Sequence, residues 1–168
     1  MKYVLLALVV LFLLGWLLSK RAPQKRGPQR KPARPSGRYP GDFKGKVIPV
    51  YSPNPNGRPD PGEIVWTWVP FEEDHSQGKD RPVLLIGRDG TWLLGLALTS
   101  KDHDNDRHNR GQWVDIGTGA WDRQRRPSEV RLDRIVRVDE RAIRREGAVL
   151  PQETYNHVAR SLSALHHW

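Results

Sequence analysis

Residues 80–100, DRPVLLIGRDGTWLLGLALTS, constrain the fold more than any other stretch, because two apolar runs flank a turn dipeptide. At period two, Arg81, Val83 and Leu85 share one face of the first run, and Pro82, Leu84 and Ile86 share the other. Both faces are largely apolar, so the run reads as a core strand. Asp89-Gly90 tolerates the positive φ angles of a tight hairpin turn. The second run therefore returns antiparallel, with Gly95, Ala97 and Thr99 on one face and Trp92, Leu94, Leu96 and Leu98 on the other. Such a return sets the start of one strand beside the end of the next, which brings Arg81 and Thr99 together at one rim of a sheet.

The flanking stretches extend this sheet. Residues 63–71, EIVWTWVPF, alternate Ile64, Trp66 and Trp68 against Val65, Thr67 and Val69, and their β-branched and aromatic content predicts a strand. Residues 112–117 and 129–138 predict two more, separated by an irregular stretch over 117–127. Polar loops cover 72–80 and 101–111, and one or two helical turns are expected over 141–146. Residues 151–166 predict a helix, with Pro151 at its first turn, Glu153 early, and Tyr155, Val158, Leu162 and Leu165 on one stripe. Short antiparallel strands followed by one helix indicate a mainly β domain, a small curled sheet or barrel with a C-terminal helix, over residues 61–168.

The N-terminal third has a different character. Residues 1–60 hold 12 of the 28 Lys and Arg but only two of the 19 acids, Asp42 and Asp60, so the basic excess belongs to the arm and the domain is nearly neutral. Charge alone therefore does not argue that the domain binds nucleic acid. Residues 3–18, YVLLALVVLFLLGWLL, are apolar throughout, and residues 1–19 predict a single transmembrane helix near the lower length limit. The sequence around residues 16–21 lacks the small residues of a signal-peptide cleavage site. Lys20, Arg21, Lys25 and Arg26 crowd its C-terminal side against Lys2 alone before it, which predicts a cell-membrane protein with its domain on the cytoplasmic side. Residues 20–60 contain nine of the 14 prolines and predict a disordered basic linker, with KVIPVY at 46–51 as a patch that docks at a sheet edge. Extended, such an arm reaches on the order of 100 Å. The absence of cysteine excludes disulfides and thiolate metal sites.

Four blocks carry a resemblance. Gly62-Glu63-Ile64-Val65-Trp66, Arg81-Pro82-Val83-Leu84-Leu85, Leu98-Thr99-Ser100 and Ser128-Glu129-Val130-Arg131-Leu132-Asp133-Arg134-Ile135 follow in an order and spacing that resemble the MazF/PemK toxins, endoribonucleases of type II toxin-antitoxin systems. The resemblance spans about residues 61–165. It implies an SH3-like barrel, a homodimer, a cognate acidic antitoxin, and cleavage of single-stranded RNA without metal or other cofactor, leaving a cyclic phosphate and a 5′-hydroxyl. It also implies that the family's catalytic Arg and Thr fall on Arg81 and Thr99, with Ser100 adjacent. The anchor, the basic arm, the short turn at 88–91 and the Trp-rich first strand depart from the family pattern.

The chemistry suits these residue types. Attack by a ribose 2′-hydroxyl builds negative charge on a pentacoordinate phosphorus, and a preorganised guanidinium at Arg81 can contact two of its oxygens. Thr99 can donate a hydrogen bond to a phosphoryl oxygen, with Gly95 and Ala97 on its face leaving room for RNA. No residue stands out as the general base, since an arginine does not deprotonate near neutral pH. The structural alternative pairs Arg81 with Asp80 or Glu72 and makes Thr99 a strand end only. His75, in the loop before Arg81, is a candidate acid or base. Trp121 with Arg123, Arg125 and Arg126 is a candidate RNA-binding run, through stacking and phosphate contacts. Residues 102–106, DHDND, imitate the start of a calcium loop but continue with Arg107 and reach Trp113 where Gly and Glu are required, so the motif fails. His103 and His108 enter only as weak metal ligands. A noncatalytic membrane-tethered binding module and a CcdB-like gyrase-binding toxin share the expected fold, and the Arg81/Thr99 pair favours the nuclease over both.

Overall fold

A computed structural model describes residues 39–103 and 111–168 of the chain. The expected transmembrane helix at 1–19, the linker over 20–38 and the loop residues 104–110 lie outside the described residues. Among the described residues, no helix is long and apolar enough to cross a membrane.

Six strands form one antiparallel sheet: β1 (Glu63–Pro70), β2 (Gly78–Asp89), β3 (Trp92–Thr99), β4 (Trp113–Gly117), β5 (Ser128–Val138) and β6 (Arg145–Val149), in the order β4-β5-β3-β2-β1-β6. The sheet curls, because β1 and β5 touch although β2 and β3 lie between them. The helix α1 (Gln152–His166) packs against β4 and β5. The result is a curled antiparallel half-barrel with a C-terminal helix, so its mainly β class agrees with the sequence reading.

The central hairpin forms as its apolar pattern requires, with a shift at the turn and a β-bulge at Ile86 of β2. Asp89 pairs with Trp92, so the connection is Gly90-Thr91 rather than Asp89-Gly90. Of these two residues only Gly90 has positive φ, +60°, the pattern of a type II′ turn. Asp89 is thereby left in the strand, where its carboxylate accepts from Arg137 at 2.8 Å. Both sheet faces are buried, as two apolar faces demand. Leu84, Ile86, Leu94, Leu96 and Leu98 join Val130, Leu132, Tyr155, Val158 and Leu162 in the larger core beneath α1. Val65, Val69, Val83, Leu85, Leu93, Val136 and Val138 form a smaller core, with Ile143 packed against it.

Two expectations are corrected. The helical turns expected over 141–146 are a 3₁₀ turn at Glu140–Ala142, capped by the Asp139 carboxylate at 2.9 Å from the Arg141 N–H, followed by the unforeseen β6. β6 supplies the second edge of β1 with hydrogen-bonding partners, and its Gly147 lies where a Cβ would come 2.6 Å from the Ile64 carbonyl oxygen. No local periodicity announces such a strand; the unpaired edge of β1 does.

The disordered linker expected over 20–60 is also corrected for residues 39–60, which lie along the sheet as a strap. Val47 is buried, the Val50 N–H donates to Ile86 O at 3.0 Å, and the Tyr51 hydroxyl donates to Leu150 O at 2.8 Å. Tyr155 on α1 donates to Val50 O at 2.6 Å. The 46–51 patch docks, but not as a strand: the strap's one isolated bridge joins Phe43 to Ile135, and Ile48 faces outward. Composition misled here because a proline-rich segment without a core of its own borrows one from the neighbouring sheet.

Candidate active-site groove

The β2–β3 register runs Val83↔Ala97 and Leu84↔Leu96, and continued by two residues it sets Arg81 opposite Thr99. Residues opposite each other in an antiparallel pair share a face, with Cα atoms about 4.5–5.5 Å apart. Both side chains line one open groove of about 290 Å³ at the rim of the sheet. Its floor includes Val69 and Ala97, the β1–β2 loop supplies Phe71 and Glu72, and Lys101, Arg131 and Arg134 add positive charge.

Arg81 is the guanidinium in this groove that no described residue engages. The partners expected for a purely structural arginine are taken: Asp80 pairs with Arg144, and Glu72 with Arg131 at 3.2 Å. Burial raises the Asp80 carboxyl above its usual range, against the pull of Arg144 and Arg145. Arg131 also forms a two-pronged pair with Asp133, at 2.6 and 2.7 Å, which raises its already high pKa. Arg134 is clamped by the strap, its Nε 2.7 Å and Nη2 3.1 Å from the two Asp42 oxygens. Tyr39 donates to the same carboxylate at 2.6 Å. Burial works to raise the Asp42 pKa, but the hydrogen bonds and charge of Arg134 together with the Tyr39 bond outweigh it and hold the carboxyl low.

Thr99 ends β3 and also caps the turn beyond it, its Oγ1 accepting from the Lys101 N–H at 3.1 Å. That bond uses a lone pair and leaves the hydroxyl hydrogen free to donate. Ser100 is exposed and outside the groove lining. Gly95 does not leave room for a ligand: a Cβ there would lie 2.3 Å from Val83 Cγ1, so the missing side chain serves strand packing, and Ala97 alone of the two opens onto the groove.

The auxiliary residues separate from the pair. His75 packs edge-on against Tyr39 of the strap, with ring centroids 4.9 Å apart, and is not part of the groove lining. Trp121 is a correction, because it is buried in the larger core and unavailable for stacking on a base. Its indole N–H donates to Ser128 Oγ at 3.1 Å, and its carbonyl accepts from Trp66 Nε1 at 2.8 Å. It thereby links the start of β5 to β1. Arg126 is paired with Asp122 at 2.7 Å, while Arg123 and Arg125 are exposed, and all three lie outside the groove lining.

Sequence reasoning passed over one pair. His103 lies in the groove with its Nδ1 2.6 Å from Glu129 Oε2, its backbone N–H 3.1 Å from Glu129 Oε1, and its ring stacked on Trp113 at 3.9 Å and 1°. The available signals were the four-residue spacing from Thr99 and the position of Glu129 beside Ser128. Among the described residues, no group of three or more His, Asp or Glu is arranged to hold a metal ion.

A small curled antiparallel half-barrel, with an arginine that no described residue engages set opposite a threonine in a basic rim groove, defines a class of compact β domain with a charged groove at the edge of its sheet. The family model described as PemK-like, MazF-like toxin of type II toxin-antitoxin system matches residues 60–166, and the chain belongs to that family. No curated protein matches the chain. Among solved structures, MazF (Form-I) from Deinococcus radiodurans shares the fold at a TM-score of 0.51 and 20% identity, covering 66% of this chain and 98% of that one. Also similar are MazE-MazF (Form-II) from Deinococcus radiodurans, with TM-score 0.47, 21% identity and coverage of 65% and 96%, and a mycobacterial endoribonuclease in complex with its cognate antitoxin, with TM-score 0.49, 14% identity and coverage of 65% and 95%.

Proposed function

We propose that the protein is a MazF/PemK-like endoribonuclease that cleaves single-stranded RNA by attack of a ribose 2′-hydroxyl on the adjacent phosphate, without a metal ion. The observation that carries this reading is the Arg81 guanidinium, engaged by no described residue, across the hairpin from Thr99 in a groove with three further cations. Arg81 contacts two phosphoryl oxygens as charge builds in the phosphorane, and Thr99 donates a third hydrogen bond. Arg131 and Arg134, already paired with carboxylates, act as a fixed positive rim rather than as transition-state donors. Family membership supports the reaction class. Membership of a family of type II toxin-antitoxin toxins supports an antitoxin partner for this chain too, and a homodimer is the expected assembly.

The detergent-solubilised full chain should cleave an RNA pool in EDTA and spare a strand whose target ribose is 2′-deoxy. Arg81→Ala should slow cleavage about a hundred- to a thousand-fold, and Arg81→Lys nearly as much, because an ammonium cannot make the forked contact. Thr99→Val should cost more than Thr99→Ser. Undiminished cleavage by Arg81→Ala, or cutting of the 2′-deoxy strand, would refute the assignment. A folded chain that cuts no RNA would shift the reading to a noncatalytic binding module.

The apolar run at 3–18 and the basic flank after it support tethering of the domain to the cytoplasmic face of the membrane. Protease added to intact cells should then leave the domain whole; its digestion would reverse the orientation.

A further inference from the structure

The proposed reaction needs a group to take the 2′-hydroxyl proton, and Arg81 is a poor candidate because its guanidinium stays protonated. We infer that His103, oriented by Glu129, is that base. The inference rests on the ribonuclease reading and adds to it a residue that neither the four sequence blocks nor the Arg81/Thr99 pair supplies.

Three observations converge on His103. It lines the same groove as Arg81 and Thr99, on the side where β5 places Glu129 opposite Thr99. Its Nδ1 lies 2.6 Å from Glu129 Oε2, a carboxylate acceptor, which in the neutral ring fixes the proton on Nδ1 and leaves the Nε2 lone pair free. No described residue engages Nε2. The ring cannot easily turn away, because it is stacked flat on Trp113 and its own backbone N–H is held by the second Glu129 oxygen. The two side chains are only 15% and 11% exposed, so the contact is shielded from water.

Glu129 is placed for this role by the sheet. It stands opposite Thr99 in the β3–β5 register and opposite Asp115 in the β4–β5 register, which ties the dyad to the same strand end that presents the threonine. In the reaction O2′ bonds to phosphorus as the P–O5′ bond breaks. The 2′ proton passes to Nε2, Glu129 stabilises the imidazolium that results, and O5′ takes its proton from solvent. A carboxylate that holds an imidazole in one tautomer and supports its charged form is the same device that orients the histidine of serine hydrolases.

The test compares the full chain with His103→Ala, Glu129→Gln and the double variant. The substrates are a normal RNA and an RNA in which sulfur replaces O5′ at the cleaved bond. His103→Ala should fall about a hundred- to ten-thousand-fold on both substrates, with RNA affinity retained. Added imidazole should restore part of the rate, which also shows that the variant folds. Glu129→Gln should slow cleavage without weakening binding, and should cost nothing further in the His103→Ala background, since a positioning residue acts only through its partner. Near-normal cleavage of the sulfur substrate by His103→Ala would make His103 a leaving-group acid and overturn the base assignment. Normal rates on both substrates, or an additive double variant, would also overturn it while leaving the nuclease reading intact. Failure of the unmodified chain to cut any RNA would remove the nuclease reading itself, and this inference with it.

Discussion

Replacing Asp42 by Ala tests how the strap is held, and the structure sets the size of the effect. Arg134 loses two charge-assisted hydrogen bonds, at 2.7 and 3.1 Å, and the Tyr39 hydroxyl loses its 2.6 Å acceptor. The Arg134 and Asp42 side chains are 10% and 15% exposed, so the stranded guanidinium is largely shielded from water. Removing one partner of a buried pair costs about 3–5 kcal/mol. The lower end applies because Arg134 lines an open groove from which water can reach it. A loss of about 3 kcal/mol corresponds to a fall in melting temperature of roughly 10 °C for a domain of this size. Tryptophan fluorescence during urea and thermal unfolding measures both. The sign with pH follows from the depressed Asp42 pKa: the stabilisation is present above the unfolded carboxyl value of about 4 and is lost as pH falls through the lower folded value. The gap between Asp42→Asn and the parent protein should therefore narrow in acid. A cost below about 1 kcal/mol at neutral pH, or a gap that widens in acid, would refute the clamp.

Other expectations follow from the packing. A chain beginning at Pro61 loses Val47 from the core along with the Tyr51 and Asp42 contacts, so it should unfold at lower urea than one beginning at Tyr39; equal midpoints would mean the strap contributes nothing. Gly95→Ala places a methyl group 2.3 Å from Val83 Cγ1, an overpacking that should cost about 1–3 kcal/mol by urea denaturation, whereas Gly90→Asn at the open turn should cost less. If Gly95→Ala is neutral, the β2–β3 contact is looser than its geometry implies.

Local pattern was enough for the elements whose burial is periodic. The alternation of residues 63–71, the paired apolar runs around Asp89-Gly90 and the stripe of Tyr155, Val158 and Leu162 each declare an element, because each must hide one face from water. The hairpin alone brings Arg81 and Thr99 to the same rim of the sheet, but turn length does not pair them. Counted back from Asp89 opposite Trp92, Arg81 would face Ser100, and the β-bulge at Ile86 shifts the register by one to set it opposite Thr99. What tertiary structure decided depends on contacts between residues far apart in the chain. Trp121 looks like a loop aromatic until the curl of the sheet brings Trp66 and Ser128 against it. The strap reads as a tether until Arg134 and Ile86 supply the partners it lacks. His103 reads as a solvated loop residue until β5 delivers Glu129, 26 positions away, to its ring nitrogen. Hydrophobic periodicity is written in neighbouring residues, whereas a polar side chain takes its role from the partner the fold sets beside it.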